Sequence, residues 1–269
     1  EGQRVGMEHF ATKSHCPHCS FTRCWKIRRN NRKCKRCRRE WSASLPLISG
    51  CRATRSQWRV FLQAFLWEKT GDRISLVTGI ERHRVYRMAL IVRRCMTLNR
   101  QHFFAGTVEI DETYIGGSKY NKRKKQRTGK RGHGTSKQPI LGLYHRETKQ
   151  VITVMLPNIK RPTINACIRK HVTADTCVMT DTFSIYGHIH QWYYHHTVNH
   201  MEGEYVRGDV HTNGIEGFWG CLKRKLKTTG GIRRERLWLY VGEFTWRYNH
   251  RHLALDEQVD TLLKLVAEL

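Results

Sequence analysis

Two residues separate Cys16 from Cys19, two separate Cys34 from Cys37, and fourteen lie between the pairs. That spacing leaves the first fifty residues few ways to fold. Each CxxC knuckle turns two thiolates toward one point, and two knuckles complete a tetrahedral S4 set suited to Zn2+. The interval reads as two short strands, residues 23–27 and a return into Lys33, joined by a turn over residues 29–32. The segment holds too few apolar residues to bury four reduced thiols by packing alone. A zinc ribbon over residues 1–52 is therefore expected, with Cys16, Cys19, Cys34 and Cys37 as ligands and with metal binding supplying folding free energy. His15 and His18 are possible substitute ligands. A redox dithiol is disfavoured, because no βαβ pattern surrounds either pair.

Residues 1–52 carry 13 Lys/Arg against 3 Asp/Glu, and the 269-residue chain carries 49 against 22, a formal net charge of +27. Such an excess opposes compaction and calls for a polyanion, nucleic acid first. In the ribbon, Arg28, Arg29, Lys35 and Arg36 are the expected DNA contacts. Trp25 and Trp41 are expected to pack against the ribbon rather than stack on bases. Eight Trp, nine Phe and ten Tyr exclude a wholly disordered chain. No run approaches 18 apolar residues, so no membrane partner is expected. The other six cysteines are scattered and no apolar leader opens the chain, which points to a reducing compartment where they act as small hydrophobes.

Residues 53–105 read as helices. Thr54 or Ser56 caps the first, Trp58, Phe61, Leu62, Phe65 and Leu66 recur at helical spacing, and Gly71 is expected to end it. A second helix begins at residues 74–78, Gly79 breaks it, and residues 82–98 form a third. Helix, glycine-containing turn and basic helix outline a helix-turn-helix, with Arg82, Arg84 and Arg87 near the start of the recognition helix.

Residues 107–115 read as a strand with acids inside an apolar run. An acid there is costly unless it is paired or holds a metal. Strands follow at 139–144 and 151–156, then a helix at 163–171, a strand at 176–181 ending in Asp181, a short helix at 183–190, a strand at 194–199, and a helix opening near His211. In a β-β-β-α-β-α-β-α sheet of this kind the first and fourth strands are neighbours, so Asp111 and Asp181 face one another and Glu216 approaches from the covering helix. Three converging carboxylates repel each other and call for divalent cations, Mg2+ or Mn2+ in a pair. Such ions activate an attacking oxygen and stabilise a leaving oxygen at a phosphodiester.

The strand order, the acids and the 34 residues between Asp181 and Glu216 resemble the RNase H-like fold of DD(E/D) transposases. More closely, VEIDETYIGG, GKRGHGTSKQPILG, HTNGIEGFWGCLKRKL and EFTWRYNHR resemble Merlin-type transposases and their bacterial insertion-sequence relatives, over roughly residues 14–252. The resemblance implies a DNA transposase of α/β class that binds terminal inverted repeats, frees 3′-OH ends and joins them to target DNA. It also implies a homodimer or larger synaptic assembly on double-stranded DNA. Asp111 and Asp181 match the first two catalytic acids. The family's third position varies, and Glu216 is favoured, with Asn213 as second ligand or helper. Lys223 matches a family lysine placed to hold a phosphate near the cut.

The remaining residues divide more plainly. Glu109 is expected to be a solvated strand-end acid, and Glu112 points to the opposite face from Asp111. His211 could touch DNA, with Arg224 and Lys227 on the following helix. Trp219, His195, His196 and His200 are expected to be structural, and Tyr248, Asn249 and Arg251 serve packing or DNA contact. The insertion 117–137 has nine Lys/Arg and no acid. Its Lys122, Arg123, Lys124, Lys125, Lys130 and Arg131 are expected to clamp DNA. The expected domains are thus a ribbon (1–52), a helical segment (53–105), an RNase H-like catalytic domain (106–252) and a C-terminal helix (253–269). Location follows the host, cytoplasmic and nucleoid-associated if bacterial or nuclear if eukaryotic. The alternatives are a domesticated DNA-binding protein without catalysis and an RNase H-like nuclease that cuts without joining.

Overall fold

A computed structural model describes residues 16–42 apart from 17, 20, 29 and 30, then 51, 53–98, 103–117, 135, 137–199, 202–203 and 206–268. The chain divides into two compact units, Glu1–Met88 with Val266–Leu269, and Ala89–Leu265, so the division falls inside one long helix. No helix among the described residues is long and apolar enough to cross a membrane.

In the first unit, β1 (Cys24–Ile27), β2 (Asn31–Cys34) and β3 (Glu40–Ser42) form an antiparallel sheet, with Cys24 opposite Cys34. The third strand is an addition to the expected two. Trp25 corrects an expectation: it does not pack into the ribbon but stands 38% exposed. The Arg38 guanidinium lies 4.8 Å from its ring centre and the Lys35 ammonium 5.6 Å. So thin a sheet has no interior for an indole.

Three helices follow: α1 (Arg55–Leu66), α2 (Gly71–Thr78) and α3 (Arg82–Leu98). Thr54 and Gln57 form a capping box at the start of α1, and its apolar stripe of Trp58, Phe61, Leu62 and Phe65 is buried. Gly71 does not end α1. It opens α2, whose N-cap is Thr70, because the turn needs only residues 67–70. Gly79 adopts φ +67° and ends α2, as its position predicts.

The second unit holds a five-stranded mixed sheet of β4 (Thr107–Ile115), β5 (Gln138–His145), β6 (Gln150–Met155), β7 (Cys177–Asp181) and β8 (Tyr194–Val198), in the order β6-β5-β4-β7-β8. The pairs β4–β5 and β5–β6 are antiparallel, while β4–β7 and β7–β8 are parallel. This is the RNase H-like arrangement expected. On one face Val108, Ile110, Leu141, Leu143 and Val178 pack with Ile164 and Ile168 of α4 (Arg161–His171). On the other, Ile140, Tyr144 and Val151 pack with α5 (Asn213–Thr228) and α6 (Leu237–Asn249). The expected helix at 183–190 is instead two 3-10 turns, at 184–186 and 189–191. A last helix, α7 (Leu255–Ala267), ends the chain.

Two contacts fix α6. Asn249 accepts from the Val151 amide and donates to its carbonyl, both at 2.8 Å, and so closes the edge of β6. Arg93 of α3 pairs with Glu243 at 2.7 Å, and Gly242 leaves no room for a methyl group against Thr97. Tyr248 meets Phe218 edge-on at 5.0 Å, and Arg251 donates to the Tyr248 carbonyl. The Tyr248–Asn249–Arg251 segment therefore packs α6 onto the sheet.

Close approach of α5 depends on Gly142, where a methyl group would lie 2.4 Å from the Trp219 ring. Gly217 on the same helix faces open space. Gly142→Ala should therefore cost about 1–3 kcal/mol in denaturant unfolding, and Gly217→Ala should stabilise by up to about 1 kcal/mol. A Gly142→Ala protein as stable as the wild type would contradict this packing.

Candidate active site

Side chains alternate along β4, so Glu109, Asp111 and Thr113 share the face that meets α5, and Glu112 points to the α4 face. There the buried Tyr186 hydroxyl donates to Glu112 at 2.5 Å. The β4–β7 pairing sets Glu109 beside Met179, and the same register carried two residues further brings Asp111 level with Asp181. Asp181 closes β7, its Oδ1 accepting from the Phe183 amide at 3.0 Å. Thr180 bonds His195 at 2.9 Å, and burial holds that imidazole below its ordinary pKa, which suits a structural role.

Glu216 comes from the first turn of α5. The Thr212 hydroxyl donates to Glu216 Oε1 at 2.8 Å instead of capping the helix. The cap comes from Glu109, whose Oε2 accepts from the Ile215 amide at 2.9 Å. Gly214 is required here, because a methyl group would sit 2.4 Å from the Tyr144 ring. Glu109 is thus not the solvated acid expected from sequence. It is 1% exposed and paired with Arg146 Nε at 2.7 Å. Arg146, which no sequence signal marked, also donates to His211 Nδ1 at 2.8 Å.

Asp111 lies where neighbouring carboxylates oppose its ionisation. Burial, then the negative charges of Glu112 and Asp181, and finally Glu216, push Asp111 from the ordinary 3.8 up to about 8. Burial, then the charges of Glu112, Asp111 and Asp181, push Tyr114 up to about 12. A divalent cation relieves such crowding, and three hard carboxylates are the donor set that Mg2+ or Mn2+ accepts. Asn213 is exposed at the first position of α5.

At the end of β4 a groove of about 670 Å³ is lined by Tyr114, Gly116, Lys137, Lys223, Lys227 and Arg234 among others. Lys223 and Lys227 are thereby brought together; Lys137 and Arg234 join them, though sequence had not singled them out. Arg224 is exposed and donates to Cys221 Sγ at 3.1 Å. In the first unit Arg28, Lys35, Arg36 and Arg87 are exposed and Arg84 is half-buried. Arg82 pairs with Asp72 at 2.6 Å. Arg29, Lys122, Arg123, Lys124, Lys125, Lys130, Arg131 and His200 lie outside the described residues.

The sulfurs of Cys16, Cys19, Cys34 and Cys37 all lie within 4.8 Å of one another, the one such ligand group among the described residues. Cys16–Cys37 and Cys19–Cys34 sulfurs are each 3.5 Å apart. Burial opposes ionisation of Cys34, but the amides of Cys37 and Arg36 and the neighbouring thiols outweigh it and bring its pKa to about 6. Four sulfurs so placed, with amides already aimed at them, fit a tetrahedral metal. His18 is exposed and outside this set.

The ISXO2-like transposase domain matches residues 103–249. An uncharacterized transposase-like protein of Haemophilus influenzae is 34% identical over 118 residues, 44% of this chain and 94% of that protein. An uncharacterized protein in transposable element ISH50 of Halobacterium salinarum is 27% identical over 190 residues, 67% of this chain and 64% of its own length. A chain from a simian T-cell lymphotropic virus intasome in complex with PP2A regulatory subunit B56 gamma is 11% identical, with coverage of 70% and 67% and a TM-score of 0.33, a likeness too slight to carry an argument.

The crowding has a measurable sign. With Asp111 raised, the folded protein without divalent cations binds a proton that the unfolded chain releases. That contribution is fully present below pH 3.8 and is lost as pH rises toward about 8. In buffer free of Mg2+ and Mn2+, Asp111→Asn should melt several degrees above the wild type at pH 8.5 or so and close to it near pH 4. Equal melting temperatures at both ends would contradict the burial of this carboxyl.

Proposed function

The chain belongs to the ISXO2-like transposase family, and on that footing we propose that it is a DNA transposase that cuts phosphodiester bonds at transposon ends and joins the freed 3′-OH groups to target DNA. The observation that supports this reading is that the charges of Asp181 at the end of β7 and Glu216 on α5 both reach the buried Asp111 of β4. In this reading residues 106–252 are the catalytic domain. The ribbon of residues 1–52 and the helical segment 53–105 grip the terminal inverted repeats.

Asp111, Asp181 and Glu216 would hold divalent cations, two Mg2+ or Mn2+ ions. Bound there, they supply Lewis-acid stabilisation of the attacking and leaving oxygens. The chain's own residues do the rest. Asn213, one turn before Glu216, offers an amide oxygen on the same helix face. Lys223 and Lys227 hold phosphates in the adjoining groove, with Lys137 and Arg234 on its walls. Arg28, Arg29, Lys35 and Arg36 in the ribbon and Arg82, Arg84 and Arg87 at the start of α3 contact the end DNA. The insertion 117–137, with nine Lys/Arg and no acid, follows in sequence the strand that carries Asp111 and would add contacts to phosphates. No covalent enzyme intermediate is needed, because a freed 3′-OH is the nucleophile of the joining step. Paired ends call for a dimer or a larger synaptic assembly. The four sulfurs would hold one structural Zn2+.

The test is joining of pre-cleaved end DNA to a target plasmid. Asp111→Ala and Asp181→Ala should each lower joining by roughly a hundredfold or more, as should Glu216→Gln, with Asn213→Ala milder. Cleavage without joining in the wild type would favour a nuclease, and binding without either would favour a non-catalytic DNA-binding protein. Full activity in Glu216→Gln would remove Glu216 from the site. Elemental analysis should find about one zinc per chain; a zinc-free, folded and DNA-binding protein would contradict the ribbon assignment.

A further inference from the structure

Glu109 is the one fully buried carboxylate among the described residues, at 1% exposure. Its two oxygens serve different elements. Oε1 accepts from Arg146 Nε at 2.7 Å, and Oε2 accepts from the Ile215 amide at 2.9 Å in the first turn of α5. Arg146 turns its other nitrogens on the loop ahead of that helix. Nη1 donates to the Asp209 carbonyl at 2.6 Å, and Nη2 donates to the His211 carbonyl at 2.7 Å and to His211 Nδ1 at 2.8 Å. The last link is Thr212, whose hydroxyl donates to Glu216 at 2.8 Å and whose carbonyl accepts from the Glu216 amide at 3.1 Å.

Neither partner can be replaced by a near relative. Both oxygens of Glu109 accept, so Gln would set an NH2 group against a donor at one end. Arg146 reaches four acceptors on three residues through a planar fork that Lys lacks. A guanidinium has no acceptor, so His211 Nδ1 accepts and the ring carries its proton on Nε2. Buried ion pairs add little stability compared with apolar side chains of the same volume. What this pair adds is position at the first turn of α5, where Glu216 lies and where the apolar core that holds the rest of the helix does not fix the preceding loop.

We propose that Glu109 and Arg146 form a positioning pair that fixes residues 209–212 and the first turn of α5, holding Glu216 against Asp111 and Asp181 and presenting the Nε2–H of His211. The proposal rests on the metal-site reading above. It belongs to the positioning residues of the reaction, since neither Glu109 nor Arg146 is a ligand in it.

The experiment uses the zinc-loaded full chain with Arg146→Lys and Glu109→Gln. Mn2+ affinity by calorimetry, amide hydrogen exchange and joining activity are measured together. Affinity should weaken by about tenfold or more, exchange should quicken within residues 209–218 while β4 and α6 keep their protection, and raised Mn2+ should partly restore joining. Wild-type Mn2+ affinity in both variants, or faster exchange throughout the sheet, would overturn the proposal. Should neither variant melt cooperatively, Thr212→Val and Thr212→Ser read the last link. Val should weaken Mn2+ binding and Ser should restore it, and two affinities equal to the wild type would overturn it. A wild type that binds Mn2+ but joins no DNA removes the transposase reading and leaves the pair to be judged on affinity and exchange. A wild type that binds no Mn2+ overturns both.

Discussion

Carboxylates near one another repel, and in the second unit of this protein the buried Asp111 lies within reach of the charges of Glu112, Asp181 and Glu216. The parallel pairing of β4 with β7 brings Asp111 level with Asp181, and two glycines let α5 lie close enough to add Glu216. Gly142 makes room for the Trp219 ring, and Gly214 makes room for Tyr144. Below them an apolar core of Ile140, Ile215, Phe218 and Leu222 fastens α5 to the sheet. The cost of the crowding appears in Asp111, raised to about 8 by burial and by its acidic neighbours. Packing and hydrogen bonds sustain an arrangement that electrostatics alone would open, and a bound cation reverses the sign of that term.

The surrounding charge follows the same division. The chain's +27 is not spread evenly. Cations line the groove at the end of β4 through Lys137, Lys223, Lys227 and Arg234, and others stand on the ribbon around an exposed Trp25. The one cation that reaches into the acid cluster's support, Arg146, is neutralised by Glu109 and gripped by backbone carbonyls. It therefore organises the loop ahead of α5 without quenching Asp111.

Much of this was legible in the sequence because it is local. An apolar run with acids inside it marks β4, helical spacing marks α1, and the CxxC spacing marks the four sulfurs. The errors arise where a partner lies far along the chain. Glu109 reads as a strand-end acid because its partners, Arg146 and the Ile215 amide, are 37 and 106 residues away. Alternation gives the face of a residue and not what covers that face. Gly71 reads as a stop because glycine serves both ends of a helix, and only the Thr70 cap decides which. Trp25 reads as core by its size, yet a three-stranded ribbon has no second layer to bury it. The third position reads as Glu216 or Asn213, because the two stand three apart on one face of α5 and the spacing alone does not choose between them.

The central claim is that Asp111, Asp181 and Glu216 form one cation site. Anomalous diffraction from Mn2+-soaked crystals of the full chain tests it most directly. A manganese peak bounded by the carboxylates of all three residues, and lost in Asp111→Asn, is the expected result. Saturating Mn2+ with no peak among these carboxylates, or a peak that persists unchanged in Asp111→Asn, would contradict it.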